Sequence, residues 1–250
     1  MKIVTASLAP LYISTQLLAF EPGQLSLDSV SNFEDGDAGF SIRHRFLGRA
    51  DDTGHFFGFD DGANTFLSLR YAPVKEFIFE VHHITDKSEN NIRIGYAHKF
   101  EYLHTQLNLN YFSFEEGSLA QDRENVFINA VIQTPPIYEH ITLTTNIGYD
   151  NYYKKSGAGF AIELSTQNFM PNTLTYTESI SILGEYYTKH KGLKGFDRKY
   201  NSYAFGIKFK TFAHHFELLL TNATALEPRT MMQGTNTSDL HFAFNINRKF

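Results

Sequence analysis

Apolar residues fall on alternate positions along most of the chain after residue 37. In 102–114, Leu103, Thr105, Leu107, Leu109 and Tyr111 alternate with His104, Gln106, Asn108 and Asn110. In 140–149, Ile141, Leu143, Thr145, Ile147 and Tyr149 alternate with Thr142, Thr144, Asn146 and Gly148. In 199–210, Tyr203, Phe205, Ile207 and Phe209 alternate with Ala204, Gly206, Lys208 and Lys210. The C-terminal run, Leu240 to Phe250, does the same and ends on an aromatic, with Arg248 as a charge on its apolar side. Period two places successive side chains on opposite faces, so each run predicts a strand with one apolar and one polar face. Twelve such runs predict strands at about 38–47, 64–72, 75–84, 91–100, 102–114, 125–133, 140–149, 158–166, 174–187, 199–210, 212–221 and 239–250. No helical period of comparable strength is present.

Runs of about ten residues match a tilted membrane-crossing strand. The odd-numbered connections are long or polar (Gly48–Ala63, Thr85–Asn90, Glu115–Asn125, Asp150–Gly157, Thr188–Arg198 and Asn222–Ser238). The even-numbered ones are mostly short (Pro73-Val74, Glu101, Thr134–Glu139, Gln167–Thr173 and Thr211). Hairpins elaborated at one end are the habit of bacterial outer-membrane barrels, with long outer loops and short periplasmic turns. Lipid offers no hydrogen-bond partners, so a spanning sheet cannot leave an edge. The expectation is an all-β fold: one closed antiparallel transmembrane β-barrel of about twelve strands over residues 38–250. Such a barrel has a lumen wider than that of an eight-stranded barrel and narrower than that of a sixteen-stranded porin. An even strand number returns Phe250 to the periplasmic interface, where the terminal strand is also a signal for the barrel-assembly machinery.

Composition sharpens this picture. There are 24 Phe and 14 Tyr, but no Trp and no Cys. Zero Cys excludes disulfides and cysteine-based metal or redox sites. Tyr71, Tyr102, Tyr111, Tyr138, Tyr149, Tyr152, Tyr153, Tyr176, Tyr186, Tyr187 and Tyr200 lie at or near strand ends, as an interfacial girdle in contact with outer-membrane lipid requires. A net charge of −5 without a basic block gives no support for nucleic-acid binding. Lys2, the apolar stretch from Ile3 to Leu18, and Ala19 read as a secretory signal over residues 1–19. Residues 20–37, carrying Glu21, Asp28, Glu34, Asp35 and Asp37, are expected to form a periplasmic segment or a plug.

With the apolar side toward lipid, the inward positions include Arg43, Arg45, Arg70, Glu76, Glu80, Arg93, Lys99, Glu163, Lys208 and Lys210. These predict a charged lumen, either an internal ion-pair network or a pore whose charges tune passage of small solutes. His44, His83, Glu178, His214 and Arg248 break the outward pattern, and Glu178, the deepest of them, predicts a bulge or a change of phase. No cofactor is implied. Adjacent His82-His83 and His214-His215 point to opposite faces, and inward His82, His104 and His241 share a site only if register allows. An outer-membrane lipid hydrolase is the enzymatic alternative, yet Ser41 and His44 lie on opposite faces and no Gly-x-Ser-x-Gly elbow is present. His83, Asp86 and Ser88 cluster near the second loop. A soluble ligand-binding barrel, apolar side inward, is the other alternative.

The first loop carries Phe56, Phe57 and Phe59, which are expected to turn into the barrel mouth because aromatic exposure to water is costly, and Asp60-Asp61, a weak cation-binding pattern. His44-Arg45-Phe46-Leu47-Gly48, Phe56-Phe57-Gly58-Phe59-Asp60, the strand from Ala63 to Tyr71 and the terminal Phe250 resemble a group of uncharacterised bacterial β-barrel proteins. Its members show His-Arg-Phe-Gly followed by Phe-Phe-Gly-Leu-Asp. Here Leu47 is inserted before the glycine and Phe59 replaces the Leu. The resemblance spans residues 40–75 and implies an outer-membrane barrel, and it carries over no activity and no functional residue.

Overall fold

A computed structural model describes residues 24–116, 121–166, 177–190, 198–211 and 214–250. The signal expected over residues 1–19, Glu21, Tyr176 and the whole of the connection expected at Gln167–Thr173 lie outside them. Twelve strands form: β1 (Ala38–Phe46), β2 (Ala63–Val74), β3 (Phe77–Ile84), β4 (Glu89–Lys99), β5 (His104–Glu116), β6 (Gln121–Gln133), β7 (Ile141–Asp150), β8 (Lys155–Ser165), β9 (Thr177–Thr188), β10 (Ser202–Thr211), β11 (His214–Thr221) and β12 (His241–Lys249). Each pairs antiparallel with its sequence neighbours, and β1 pairs with β12 to close the barrel. Closure satisfies every edge, as a sheet in lipid requires.

Strict alternation along β4 shows why the period was readable. Asn91, Arg93, Gly95 and Ala97 are buried, whereas Ile92, Ile94 and Tyr96 are exposed. The exposed side is the apolar one, so apolar side chains face out around the barrel. That inversion suits lipid, and it removes the soluble ligand-binding barrel, which keeps its apolar side inward.

The seam is held by Phe250, whose N–H donates to the Ala38 carbonyl at 2.7 Å while its ring meets Phe40 at 6.0 Å. Arg248, the charge on the apolar side, lies over the Phe250 ring at 4.7 Å, so it is accommodated as a cation–π pair. The register of β9 with β10 shifts between Lys210 and Thr211, which leaves Glu178 as the extra residue of a bulge, and Lys210 Nζ meets its carboxylate at 3.0 Å. The irregularity expected at Glu178 is therefore a bulge.

Connection lengths are less asymmetric than expected. Strands β5 and β6 absorb much of 115–125, and the third connection shrinks to a short turn after Ile84. The first, ninth and eleventh connections keep the excess length and define a long-loop end of the barrel. Glu76 is corrected: it occupies the tight turn between β2 and β3, half-exposed, rather than an inward strand position.

Candidate functional site

The inward faces of the strands are strongly polar. Gln106, Asn108 and Asn110 of β5, Asn129 and Gln133 of β6, Thr144 and Asn146 of β7, Glu185 of β9 and Asn245 of β12 are all buried. A buried amide or carboxylate left unpaired is costly, so such a wall needs partners. Here the partner is the chain's own N-terminal segment. Residues 24–31 and Phe33 are buried within the barrel.

This segment has no regular structure of its own, and the wall supplies its hydrogen bonds. The N–H groups of Ser26 and Leu27 donate to the Glu185 carboxylate at 3.0 and 3.1 Å. Asp28 N–H donates to Asn146 Oδ1 at 3.1 Å, and Asn146 Nδ2 returns a bond to the Asp28 carbonyl at 2.8 Å. Val30 and Ser31 donate to Gln133 and Gln106 at 2.9 and 2.8 Å. The Leu25 carbonyl accepts from Arg45 at 3.0 Å and from Asn245 at 2.7 Å. The wall reads main chain, residue after residue.

Asp28 is the anchor. Its carboxylate accepts from Arg93 Nη1 at 2.9 Å, from Asn129 at 2.8 Å and from Asn108 at 3.3 Å. Arg93 also reaches Glu80 at 3.3 Å, and Glu80 accepts from Arg70 at 2.9 Å. Thus Arg70, Glu80 and Arg93, expected in the lumen, are brought together there, while Arg45, also buried in the lumen, is engaged separately by Leu25 and Asn245. Arg43 is buried too, donating to the Leu226 carbonyl at 2.9 Å with its guanidinium 4.9 Å from the Phe66 ring centre. Lys208 and Glu163 form a separate pair at 2.9 Å. Lys99 is exposed at the short-turn end, where it shares a vestibule with Lys208 and Lys210.

The last connection enters from the opposite end. Its helical turn, Pro228–Met231, carries Arg229, which pairs with Glu89, with Glu227 at 3.2 Å and with Asp150 at 3.9 Å. The Arg229 guanidinium also lies 4.0 Å from the Phe112 ring centre. Glu227 lies outside the spanning strands. Burial opposes its ionisation, but the His82 hydrogen bond and the Arg229 charge outweigh that and hold it at about 2. Met231 and Met232 pack with Phe112, Phe114, Phe127 and Tyr187, and Leu27 of the N-terminal segment belongs to the same cluster. The two inserted segments therefore contribute to one apolar cluster inside the barrel. Wall glycines make the room: a Cβ on Gly157 would lie 2.9 Å from Met232 Cβ, and one on Gly159 would lie 2.7 Å from the Tyr187 ring. Free space falls from about 230 Å³ at the short-turn end to about 20 Å³ beside Asp28.

Four expectations are corrected or redirected. Tyr187 points into the lumen and is fully buried, so it is not part of a girdle, whereas Tyr71, Tyr102, Tyr111, Tyr138, Tyr149 and Tyr186 are exposed. Phe56, Phe57 and Phe59 do not enter the mouth; Phe59 stacks on Phe242, an outward residue of β12, at 5.3 Å. Asp61 is engaged by His55 at 2.8 Å rather than set aside for a cation. The inward histidines are apart: His82 sits between Glu80 and Glu227 at 3.1 and 3.2 Å, His241 faces the Gly48 carbonyl at 2.9 Å, and His104 is at the short-turn end.

On the outer face His83 Nδ1 meets Asn90 Oδ1 at 3.0 Å, and Ser113 is the cross-strand partner of Asn90. The order across β3, β4 and β5 is thus His, Asn, Ser. With strands about 4.8 Å apart, His and Ser backbones stand about 10 Å apart, and Asn90 fills the gap where a base would have to meet its nucleophile.

Sequence reading missed Asp28 as the anchor, the Asn and Gln residues of the wall, and Arg229. The wall residues carried a signal, because they share parity with the charges. Arg229 carried none, since a loop has no period.

A family model described as a membrane bound beta barrel domain (DUF5777) matches residues 23–112 and 132–250. The chain belongs to this family. The match opens at residue 23, so the segment in the lumen is part of the family domain. No curated protein matches the chain. Among solved structures, it is similar to the KdgM porin, with 9% identity and a TM-score of 0.50 over 86% of this chain and 99% of that one. The outer membrane protein Omp33 of Acinetobacter baumannii gives 8% identity and a TM-score of 0.47 over 86% and 99%. At such identities the likeness is one of fold. A membrane-bound closed β-barrel is the architecture of bacterial outer-membrane proteins, and that is where this family member resides.

Proposed function

We propose that the protein is a narrow passive channel for small polar solutes, held shut by residues 24–33. The observation that carries this reading is the wall of Asn, Gln, Arg and Glu side chains whose partners are the backbone of an irregular segment. Water or a polar solute can replace a main chain in such bonds, whereas a purely structural barrel would satisfy its wall within itself. The long-loop end faces outward, residues 1–19 direct export, and the C-terminal strand engages the assembly machinery. The role is non-enzymatic. An outer-face lipid hydrolase would need His83 beside Ser113, and Asn90 stands between them.

Liposome swelling tests the channel. The wild type admits small neutral sugars slowly, and Asp28→Ala, which frees the anchor, speeds entry at least severalfold. Equal impermeability of both folded proteins to every sugar would remove the channel and leave the structural barrel.

A further inference from the structure

The first connection presents its aromatics where water is the wrong solvent. Phe56, Phe57 and Phe59 are 65%, 43% and 37% exposed. They are not a frayed tip. Phe59 stacks on Phe242 of β12 and meets Phe46 of β1 edge-on at 4.5 Å, and Phe56 packs on Phe59 at 5.7 Å. Phe46 and Phe242 belong to the outward faces of their strands, so the loop cluster continues the lipid-facing surface beyond the end of the seam.

The loop is built to hold this pose. Phe56 and Phe57 both have left-handed backbone, at φ 46° and 59°, a region that bulky residues avoid. Gly48 and Gly58 pack against one another so closely that a Cβ on either would strike the other's backbone. The Asp52 side chain accepts from Gly54 N–H at 3.0 Å, Asp52 O accepts from Phe57 N–H at 2.8 Å, and His55 bridges to Asp61 at 2.8 Å. A strained backbone that ends in exposed phenyl rings gains nothing from water. It gains apolar burial if lipid surrounds it. The seam strands β1 and β12 have nine residues each, against thirteen in β5 and β6, so the apolar belt is short where the loop extends it.

We infer that the first connection is a lipid-inserted aromatic wedge, with Phe56, Phe57 and Phe59 seated among the acyl chains of the leaflet at the long-loop end, beside the β1–β12 seam. The occupant of this surface is membrane lipid, because the patch is continuous with the face that lipid already covers.

The absence of Trp in the chain makes the test direct. Full-length Phe57→Trp, refolded into phosphatidylcholine vesicles, carries a single indole. The expected result is blue-shifted emission that falls at least twofold in vesicles of acyl-brominated phosphatidylcholine and resists aqueous iodide. Phe127→Trp, inside the lumen, should respond to neither quencher. Iodide quenching of the Phe57→Trp variant with no bromolipid effect would overturn the inference in favour of an aqueous loop. Quenching by neither would overturn it in favour of cover by a second copy. Phe56→Trp serves if the first variant does not refold, folding being read from heat-modifiable gel mobility.

Discussion

Asp28 concentrates the energetics of the lumen in one carboxylate. It is buried, and it neutralises Arg93 while accepting from two wall asparagines. Removing one partner of a buried pair leaves the other charge stranded, at a cost of about 3–5 kcal/mol. Asp28→Ala should therefore lower stability by that amount, and Asp28→Asn, which keeps hydrogen bonds but not charge, by less. Urea unfolding of the detergent- or lipid-refolded protein measures both. Legibility at this scale was mixed. Arg93 and Glu80 were readable because inward parity is a property of the strand. Asp28 was visible only as one of several acids in an aperiodic stretch, since its partners are more than sixty residues away. Glu76 was misplaced because a tight turn interrupts the alternation just before β3.

At the scale of elements, the strands were legible and the insertions were not. Lipid outside and a polar interior inside impose period two on every spanning segment, so all twelve runs were found within a few residues of their ends. The N-terminal segment and the last connection obey no period, because wall side chains rather than a ladder satisfy much of their main chain. The aromatic first connection was assigned to the mouth on the premise of water around it, and its rings sit on the outer face instead. The last connection also carries a pH response. Glu227 is held at about 2, below the ordinary 4.5, so its contribution to docking is complete above pH 4.5 and is lost as pH falls toward 2. Amide hydrogen exchange checks this. After correction for intrinsic rates, the N–H groups of Met231 and Met232, which bond Glu227 and Pro228 carbonyls, should stay protected at pH 7 and lose protection between pH 4.5 and 2. Unchanged protection across that range would show that Arg229 holds the turn without Glu227.

For the whole molecule, two segments from opposite ends contribute Leu27, Met231 and Met232 to one apolar cluster within one closed wall. In the proposed reading the polar interior is a conduit and these segments close it. Fold, membrane location and a charged lumen were all readable in the chain, because each follows from which face of a strand is apolar. Occlusion was legible only as one of two alternatives, a plug or a periplasmic segment over residues 20–37, because the choice depends on where irregular chain goes in three dimensions. The central claim is that residues 24–33 shut a conduit that otherwise conducts. Single-molecule conductance in planar bilayers, comparing wild type with an Asp28→Ala, Glu185→Ala double variant of the full chain, tests it most directly. The account predicts a wild type that is silent or opens only briefly, and a folded variant with sustained, ohmic conductance. A folded variant as silent as its parent, or a wild type that conducts steadily, would contradict it.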